Sequence, residues 1–596
     1  MNILWSASTT MRNPERTYNF LKTIAEIEGK EWNKETQMML QALLIKNRYY
    51  VPTISGLSES QIAILDNLEY TMSYDEARDI FDSKNYQDPP MRGRTSFDPL
   101  EKMGLVQLNT EVVDAKTIKV VRITQLGRMF LNEEISLGDL VFSYLLKFQY
   151  PNPLTTDCSD YNTKPFINAL RLIKRANEIA EAEGMTVKGV SLDEFGIFVL
   201  SIKSYEEVEN KAYDLINFRK KYEKLSTFKE KKEFRDSFVA SYLSDFVEPV
   251  KNTIEYCDNI VRYLRLTKYI YMRGGNRYVD LEPRRKIEID ALLENDNGSA
   301  ILFTEKEYKD YISDYYAYEL PFETKEKLKD IASLVAEEIS NIMHELSLPG
   351  TLDVEIADSI PELKKQIENL REERTKLQTL ELRHEFENID KIDETIESLK
   401  NIKKLGIKPS IALEKFASIS LNIIDDAIAI KPNAPMGDDN EPTFTAPPGL
   451  PDIECKYTGF GMICEVTMLT GRDQWFNEGQ PVMRHLRDFE DRNEDDQSYC
   501  LFVAPSLHQD TLNTFWNAVK YEYQGRKQRI IPLTINQLIM ILEGIKEAKL
   551  LDKKITYKDM EQLYCECSDI LKLSDSTQWQ GHVTTQINNW RLSFAA

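Results

Sequence analysis

Residues 451–467 read PDIECKYTGFGMICEVT, and two short apolar runs within this stretch predict the strands of a β-hairpin. Asp452 begins the first run. Glu465 lies inside the second, on the face that it shares with Ile463 and Thr467. A carboxylate inside an apolar strand is costly to bury unless it is paired or bound to a metal ion. The stretch therefore predicts either a divalent-metal site or an ordinary hairpin with acids on its solvent face.

Two carboxylates on neighbouring strands suit Mg²⁺, or Mn²⁺ in its place, because such ions take one or two carboxylates together with water and phosphate oxygens. An ion held in this way can polarise a phosphodiester and supply a nucleophilic hydroxide. Glu414, Glu478 and His485 are further candidates for the site. The acidic pair alone is a weak motif, and an isolated histidine is more often structural than catalytic.

The composition is that of a globular protein with several domains, since the chain has 596 residues, 42% hydrophobic and 29% charged. No apolar run is long enough to span a membrane, and the N-terminus lacks signal-peptide features, so we expect a bacterial cytoplasmic protein. The seven scattered cysteines fit a reducing compartment. A net charge of −22 argues against a general nucleic-acid coat, but it is compatible with local basic surfaces that bind DNA.

The first of four predicted regions, residues 1–155, contains a polar helix, two β-branched strands and a second helix start over 91–131. This order is typical of a winged-helix DNA-recognition subdomain. Arg92, Arg94 and Arg122 are its candidate DNA contacts. The alternative is that this segment packs only against protein.

A second winged-helix subdomain is predicted in residues 156–310. The stretch 259–286 holds eight basic and two acidic residues, with tyrosines between them. Arg273 and Arg277 flank a tight turn between two strands and are candidates for contact with the DNA backbone. In the alternative interpretation, this is a solvated hairpin whose tyrosines belong to the core.

The third region, residues 311–405, is rich in helix formers with few apolar residues over 361–404, which predicts an exposed helical linker or an interaction helix. In the fourth, residues 406–596, an amphipathic helix over 411–430 precedes strands at IECKY, FGMICEVTML, YCLFVAP and RIIPLT, with helical stretches between them. This alternation predicts a mixed sheet with helices on its faces, and the whole chain is expected to be a multidomain α+β protein.

The stretches PDIECKYTGFGMICEVT, NEGQPVMRH, YCLFVAP and RIIPL, together with KFQYPNP (147–153) and PFETKEKL (321–328), resemble the AlwI family of type IIS restriction endonucleases. That family includes site-specific nicking endonucleases that act as large subunits of heterodimeric enzymes. The resemblance implies winged-helix recognition subdomains, a helical linker, and a C-terminal cleavage domain of the PD-(D/E)xK type.

The resemblance also implies a role for each candidate acid. Asp452 and Glu465 would bind the metal ion, Glu414 would support it, and Glu478 and His485 would complete the site.

One departure from the general nuclease motif concerns the residue two positions after Glu465. A lysine usually stands there, and this chain has Thr467. The base that activates water is therefore unassigned, with His485 and Glu478 as candidates. The electrostatic role of the lysine could fall to Arg484 or Lys456.

The function that these observations favour is a sequence-specific, Mg²⁺-dependent endonuclease. It would bind a short asymmetric site in double-stranded DNA and cut a few base pairs to one side. A double-strand break would need a second copy or a small catalytic subunit, because one acidic cluster cuts one strand. The alternatives are a strand-specific nicking endonuclease, the large subunit of a heterodimeric enzyme and, with less support, an inert DNA-binding scaffold. A cognate DNA methyltransferase is expected in the same system.

Overall fold

The computed structural model describes residues 2–7, 11–66, 70–113, 116–155, 158–273, 278–346, 348, 355–386, 388–405, 409–424, 427, 429–433, 450–493 and 497–595. The chain divides into two compact units. The N-terminal unit comprises Met1–Gly274 with Tyr278–Lys327, and the C-terminal unit contains Leu328–Ala596. Among the helices that the structure describes, none combines the length and apolar character that a membrane span requires. The four narrower regions stay predictions.

The N-terminal unit is mostly helical, with two small antiparallel sheets. Its helices are α1 (Arg16–Ala25), α2 (Lys34–Lys46), α3 (Glu59–Asp66), α4 (Tyr74–Ser83), α5 (Pro89–Lys102), α6 (Gln125–Leu131), α7 (Leu137–Lys147), α8 (Pro165–Ala182), α9 (Leu192–Glu194), α10 (Val208–Tyr222), α11 (Phe228–Tyr242), α12 (Pro249–Leu266), α13 (Lys286–Asn295) and α14 (Glu305–Ser313). Its strands are β1 (Val106–Val113), β2 (Lys116–Ile123), β3 (Val190–Ser191), β4 (Ile270–Arg273) and β5 (Tyr278–Leu281).

Helix α5 leads directly into the hairpin of β1 and β2, whose register pairs Val106 with Ile123. Gly104 makes this connection with a φ of +76°, and a Cβ atom there would lie 2.4 Å from the carbonyl oxygen of Ile312. Only glycine therefore fits. Thr124 caps α6 after the hairpin by accepting a hydrogen bond from the Gly127 amide. The predicted order of helix, two strands and helix over 91–131 is confirmed.

The second small sheet has the strand order β3–β5–β4 and follows α12. Tyr263 and Tyr269 are buried. The Tyr263 hydroxyl donates to the Met11 carbonyl at 2.9 Å, and the Tyr269 ring stacks on Phe142 with 4.4 Å between ring centroids. These two tyrosines thus belong to the core, as the alternative interpretation expects, while the predicted strands on both sides of the turn are present.

The C-terminal unit surrounds a five-stranded sheet. Its helices are α15 (Lys325–Glu345, of which Lys325–Lys327 are assigned to the N-terminal unit), α16 (Ile360–Phe386), α17 (Ile389–Lys400), α18 (Pro409–Ile424), α19 (Gly471–Asn493), α20 (Gln509–Lys520), α21 (Ile535–Leu550), α22 (Tyr557–Ser568) and α23 (Trp579–Ala595). Its strands are β6 (Ala429–Pro432), β7 (Ile453–Lys456), β8 (Gly461–Val466), β9 (Tyr499–Ala504) and β10 (Ile530–Thr534).

The sheet is mixed, with strand order β10–β9–β8–β7–β6. Strands β8, β9 and β10 run parallel, while β6, β7 and β8 pair antiparallel. Every residue of β9 is buried, as expected for a central strand that is covered on both faces. The predicted mixed sheet is confirmed, and so are the four strands predicted for it, β7 to β10.

Two expectations for the C-terminal unit were wrong in detail. The amphipathic helix was expected to continue through residue 430, but α18 ends at Ile424 and Ala429–Pro432 forms the edge strand β6. An edge position tolerates Pro432, which lacks an amide hydrogen. The helices over 361–404 are not fully exposed, because Leu363 and Ile392 are buried and α17 contributes to the core around the sheet.

Candidate functional site

Asp452 and Glu465 lie next to each other where strand β7 begins and strand β8 ends. The register pairs Ile453 with Cys464, so Asp452, which immediately precedes β7, falls beside Glu465 of β8. A carboxylate oxygen of Asp452 accepts a hydrogen bond from the Val466 amide at 2.7 Å. Glu465 is only 6% exposed. The hairpin thus places Glu465 in the interior, with the half-buried Asp452 beside it, and neither acid lies on a fully exposed face.

Glu478 and Glu414 complete a group of four acids, which we call the acid cluster. Burial raises the pKa of Asp452 well above its usual value, and the charges of Glu465 and Glu478 raise it further. Burial likewise raises the pKa of Glu465, and Glu478 and Glu414 add to this shift. Glu478 comes from α19 and the buried Glu414 from α18. Two helices and two strands therefore bring together the four acids that the sequence suggested.

His485 is hydrogen-bonded to this cluster. Its Nδ1 lies 2.7 Å from an oxygen of Glu465. Burial, together with the neighbouring charge of Arg484, lowers the pKa of His485 to about 4. Its Nε2 is buried and has no hydrogen-bond partner among the described residues. The neutral imidazole of His485 therefore contacts the Glu465 carboxylate through Nδ1, and its Nε2 is available for another hydrogen bond.

Thr467 occupies the position where a lysine is usual in such nucleases. It is 6% exposed, and its amide donates to the Val503 carbonyl at 3.0 Å, which continues the pairing of β8 with β9. Its hydroxyl accepts from the Leu469 amide at 3.1 Å. Burial raises the pKa of Glu478, and the nearby Thr467 hydroxyl acts against this rise.

Gln474 is a supporting residue that the sequence analysis missed. It is fully buried in the first turn of α19, where its amide nitrogen donates to the carbonyls of Leu469 at 3.0 Å and Ser506 at 2.8 Å. Its oxygen accepts from the His508 amide at 2.9 Å. These bonds fix the loop between β8 and α19. A glutamine among the polar residues that open a helix gives no sequence signal for this role.

The two cations considered as substitutes for the missing lysine lie in different places. The charge of Arg484 lowers the pKa of Glu465, so it acts on the cluster. Lys456 is exposed and ends β7, at the opposite end of that strand from Asp452. Of these two cations, only Arg484 lies where its positive charge can offset the negative charge of the acid cluster.

The described residues contain no group of three or more histidine, cysteine or acidic side chains arranged around a common ion position. The acids nevertheless suit a divalent cation. Their mutual repulsion in a buried place is relieved when a cation binds, and Asp452 and Glu465 supply the two carboxylates that Mg²⁺ takes alongside water and phosphate oxygens. The donor set therefore fits a hard cation that completes its shell from solvent and substrate.

The family model described as AlwI restriction endonuclease matches residues 101–541, which is well over half of the chain. The chain belongs to the AlwI restriction endonuclease family. It is therefore a DNA endonuclease by family, and DNA is its expected binding partner. No curated protein matches it.

Among solved structures, the chain matches the small subunit of the heterodimeric restriction endonuclease R.BspD6I with 19% sequence identity and a TM-score of 0.28. The match covers 33% of this chain and 98% of that chain. A superposition as loose as this does not define a shared fold.

Of the arginines proposed for DNA contact in this AlwI-family chain, Arg92, Arg94 and Arg122 are held in place by neighbouring side chains. Arg92 stacks over Tyr86 at 4.4 Å. Arg94 donates to Asp88 at 2.6 Å and to Gln37 at 3.1 Å.

In the hairpin of β1 and β2, Arg122 is paired with Glu111 at 2.7 Å. Arg273 ends β4, but its side chain lies outside the described residues, as does the whole of Arg277. The roles of all five arginines in DNA binding remain predictions.

Proposed function

We propose that this AlwI-family protein is a type IIS, Mg²⁺-dependent endonuclease that cuts DNA a few base pairs outside a short asymmetric site. The observation that carries the proposal is the acid cluster at one edge of the mixed sheet. The β7–β8 hairpin and helices α18 and α19 converge there. Glu414 and Glu465 are buried, and Asp452 and Glu478 are half-buried. A chain does not bury several carboxylates together without a compensating function, because each costs stability when it is ionised.

Asp452 and Glu465 would hold the ion, which supplies Lewis-acid polarisation of the scissile phosphodiester and a source of nucleophilic hydroxide. The Val466 amide fixes the Asp452 carboxylate. Glu414 and Glu478 add negative charge around the pair and hydrogen-bond acceptors for water. This assignment is that of a PD-(D/E)xK site in which Thr467 replaces the lysine.

His485 is the preferred candidate for the group that accepts a proton from the attacking water. When Glu465 is ionised, the Nδ1–H group of His485 donates to it, and Nε2 is then the basic nitrogen. That nitrogen is free of other partners among the described residues. Its low pKa keeps it unprotonated at neutral pH, which a base requires.

The N-terminal unit is proposed to recognise the DNA site. The order of helix, hairpin and helix around α5, β1 and β2 supports a winged-helix arrangement, in which α5 would enter the major groove. Arg92 and Arg94 lie on its first turns. Because stacking and ion pairing hold them before DNA binds, they lose little conformational freedom on binding.

A single acid cluster hydrolyses one strand at a time. A double-strand break by this protein would thus need a second copy of the chain or a separate catalytic subunit. A strand-specific nick is the product expected from the isolated chain. As in other restriction systems, a DNA methyltransferase in the same bacterial cytoplasm would protect the host site.

The test is to incubate the purified chain with supercoiled plasmid and Mg²⁺, separate the topological forms, and sequence the ends. Open-circular product with one cut at a fixed distance from a common sequence is the expected result. Linear product with two cuts would favour a self-associating type IIS enzyme. Intact plasmid, with DNA binding retained, would favour the inert scaffold.

A further inference from the structure

We propose that the turn between helices α10 and α11 is a contact surface for the DNA backbone, formed by Lys221, Lys224 and Lys232, which we call the basic turn. This inference rests on the proposed function and goes beyond it, because it adds a sequence-independent contact to the recognition surface around α5. Phosphate contacts supply affinity and position a protein on the duplex without reading its sequence.

Positive charge is concentrated around this turn, although the chain as a whole is acidic. Residues 220–232 hold six lysines and two glutamates, whereas the net charge of the protein is −22. Lys221, Lys224 and Lys232 are exposed, and among the residues that the structure describes none of the three has an ion-pair partner. Their charges can therefore be neutralised by an anionic partner.

The two glutamates of this stretch are engaged with other groups. Glu223 is paired with Lys188. The Glu230 carboxylate accepts hydrogen bonds from the Thr227 amide at 3.0 Å and from the Thr227 hydroxyl at 2.9 Å, which completes the N-terminal cap of α11. Neither acid is paired with a lysine of the basic turn, so the positive charge there is not compensated within the stretch.

Helix stability does not explain the lysines at the start of α11. Lys229, Lys231 and Lys232 all lie within the first five residues of this helix. Positive charge near a helix N-terminus opposes the helix macrodipole and weakens the helix, whereas a bound anion is favoured at that end. The positions of these lysines thus fit an external anion and do not fit a role in stabilising α11.

The two helices that carry the basic turn are held together before any ligand binds. Phe234 of α11 stacks on Phe218 of α10, with 5.3 Å between ring centroids. Farther from the turn, the Tyr242 hydroxyl donates to the Asp214 carboxylate at 2.8 Å. Only the lysine side chains would need to be ordered when DNA binds, which limits the loss of conformational entropy.

The basic turn lies beside the second small sheet of the N-terminal unit. Lys188, which is paired with Glu223 between α10 and α11, has its ammonium 4.9 Å from the centre of the Tyr278 ring. Tyr278 is the first residue of β5 and pairs with the last residue of β4. The sequence predicts a contact with the DNA backbone at this end of the sheet. A duplex bound there would lie within reach of the basic turn.

The experiment measures equilibrium binding of the full chain to a duplex of random sequence, in chelator so that no cleavage occurs, at salt concentrations from about 50 to 200 mM. The test variant is Lys221→Gln/Lys224→Gln/Lys232→Gln, and its charge-retaining counterpart has arginine at the same three positions. The matched control removes three lysines of the same unit that are each paired with a carboxylate, Lys46→Gln/Lys203→Gln/Lys251→Gln. Thermal unfolding is recorded for each protein.

The glutamine variant of the basic turn is expected to bind about tenfold more weakly at the lowest salt concentration. The slope of the logarithm of its binding constant against the logarithm of salt concentration should be shallower by about two to three, since each phosphate contact contributes about 0.9. The arginine variant and the control should keep the parental slope.

The outcomes separate the basic turn from the endonuclease function. A parental slope in the glutamine variant, or an equal weakening in the control, would overturn the basic turn while the endonuclease function stands. A parent chain that nicks no plasmid, combined with the expected change of slope, would overturn the endonuclease function and leave the contact. A parent chain that binds no DNA would overturn both.

Discussion

Nδ1 of His485 lies 2.7 Å from a carboxylate oxygen of Glu465, and this hydrogen bond joins helix α19 to strand β8 within the C-terminal unit. Burial acts on the two partners in opposite senses. It lowers the pKa of His485 to about 4 and raises that of Glu465 well above its usual value, so both groups favour their neutral forms. A cation bound at Glu465 would shift that acid toward its ionised form and leave His485 as the neutral donor.

Replacing His485 tests its role as the base. His485→Gln is expected to reduce the nicking rate by about 10²- to 10⁴-fold, the usual range for a general acid–base group, with DNA affinity unchanged. The matched control is His582→Gln, because His582 lies in the same unit and bonds only to the Glu566 carbonyl and Gln586 among the described residues. An equal loss of rate in both variants would contradict the assignment.

The acid cluster is expected to reduce the stability of the metal-free protein. Asp452 has a folded-state pKa above its unfolded value, so its ionised form destabilises the native state as pH rises above the unfolded pKa. Asp452→Asn removes this charge and can still accept from the Val466 amide. Its melting temperature in chelator at pH 7.5 should rise, by about 2–4 °C for each kcal/mol of repulsion removed.

Calorimetry of the two proteins measures this difference. The control is Glu454→Gln, since Glu454 lies on β7 but is bonded to Arg492 and Asn433. That variant should not gain stability. A lower melting temperature for Asp452→Asn would show that the acids are not under mutual repulsion.

A second pH effect is expected in the N-terminal unit, at Lys147. This side chain is fully buried and donates to the carbonyls of Ile312 at 2.9 Å and Asp314 at 2.6 Å. Burial lowers the pKa of Lys147 to about 7. Between pH 7 and about 10.4, the unfolded chain binds this proton and the native state does not, so stability rises with pH.

Lys147 is expected to contribute at most about 1.4 kcal/mol per pH unit to the slope of the free energy of unfolding against pH in that window. Denaturant unfolding between pH 7 and 10 measures it, with Lys147→Met compared against Lys102→Met, because Lys102 is partly exposed and paired with Asp98. The slope should be smaller in Lys147→Met and unchanged in Lys102→Met. Equal slopes in all three proteins would refute this account of Lys147.

The contribution of α5 to DNA binding is tested with Arg94→Ala. If Arg94 contacts phosphate, the variant should bind all DNA sequences more weakly. The slope of the logarithm of its binding constant against the logarithm of salt concentration should become shallower by about one. If Arg94 contacts a base, the loss should be confined to the specific site. Arg591→Ala is the control, since Arg591 is paired with Glu543 and Glu547 in the C-terminal unit. Unchanged binding by Arg94→Ala would exclude both roles.

The strands of the sheet could be predicted because the signal is local. Short apolar runs bounded by proline or glycine predicted strands β7 to β10. The apolar residues around Glu465 indicated that its carboxylate has a functional role. The edge strand β6 could not be predicted, since Ala429–Pro432 is a strand only through its pairing with β7. The burial of α17 depends in the same way on a core assembled from distant parts of the chain.

The acids of the site could be predicted from the sequence, but the residues that support the surrounding structure could not. Thr467 was noted only as a departure from a motif, because the bond that its hydroxyl accepts from the Leu469 amide depends on the conformation of the loop after β8. Gln474 gave no signal, since its function is to bond backbone groups of two separate loops. Such roles depend on three-dimensional proximity, which residue type and spacing do not encode.

The central claim is that the acid cluster around Asp452 and Glu465 cuts DNA. The most direct measurement is the rate at which supercoiled plasmid is converted to open-circular form in Mg²⁺ by the parent chain, Asp452→Asn and Glu454→Gln, with DNA affinity measured in parallel. The account predicts that Asp452→Asn binds DNA normally and nicks at least about a hundredfold more slowly, while Glu454→Gln retains the parental rate. Parental nicking by Asp452→Asn would contradict it.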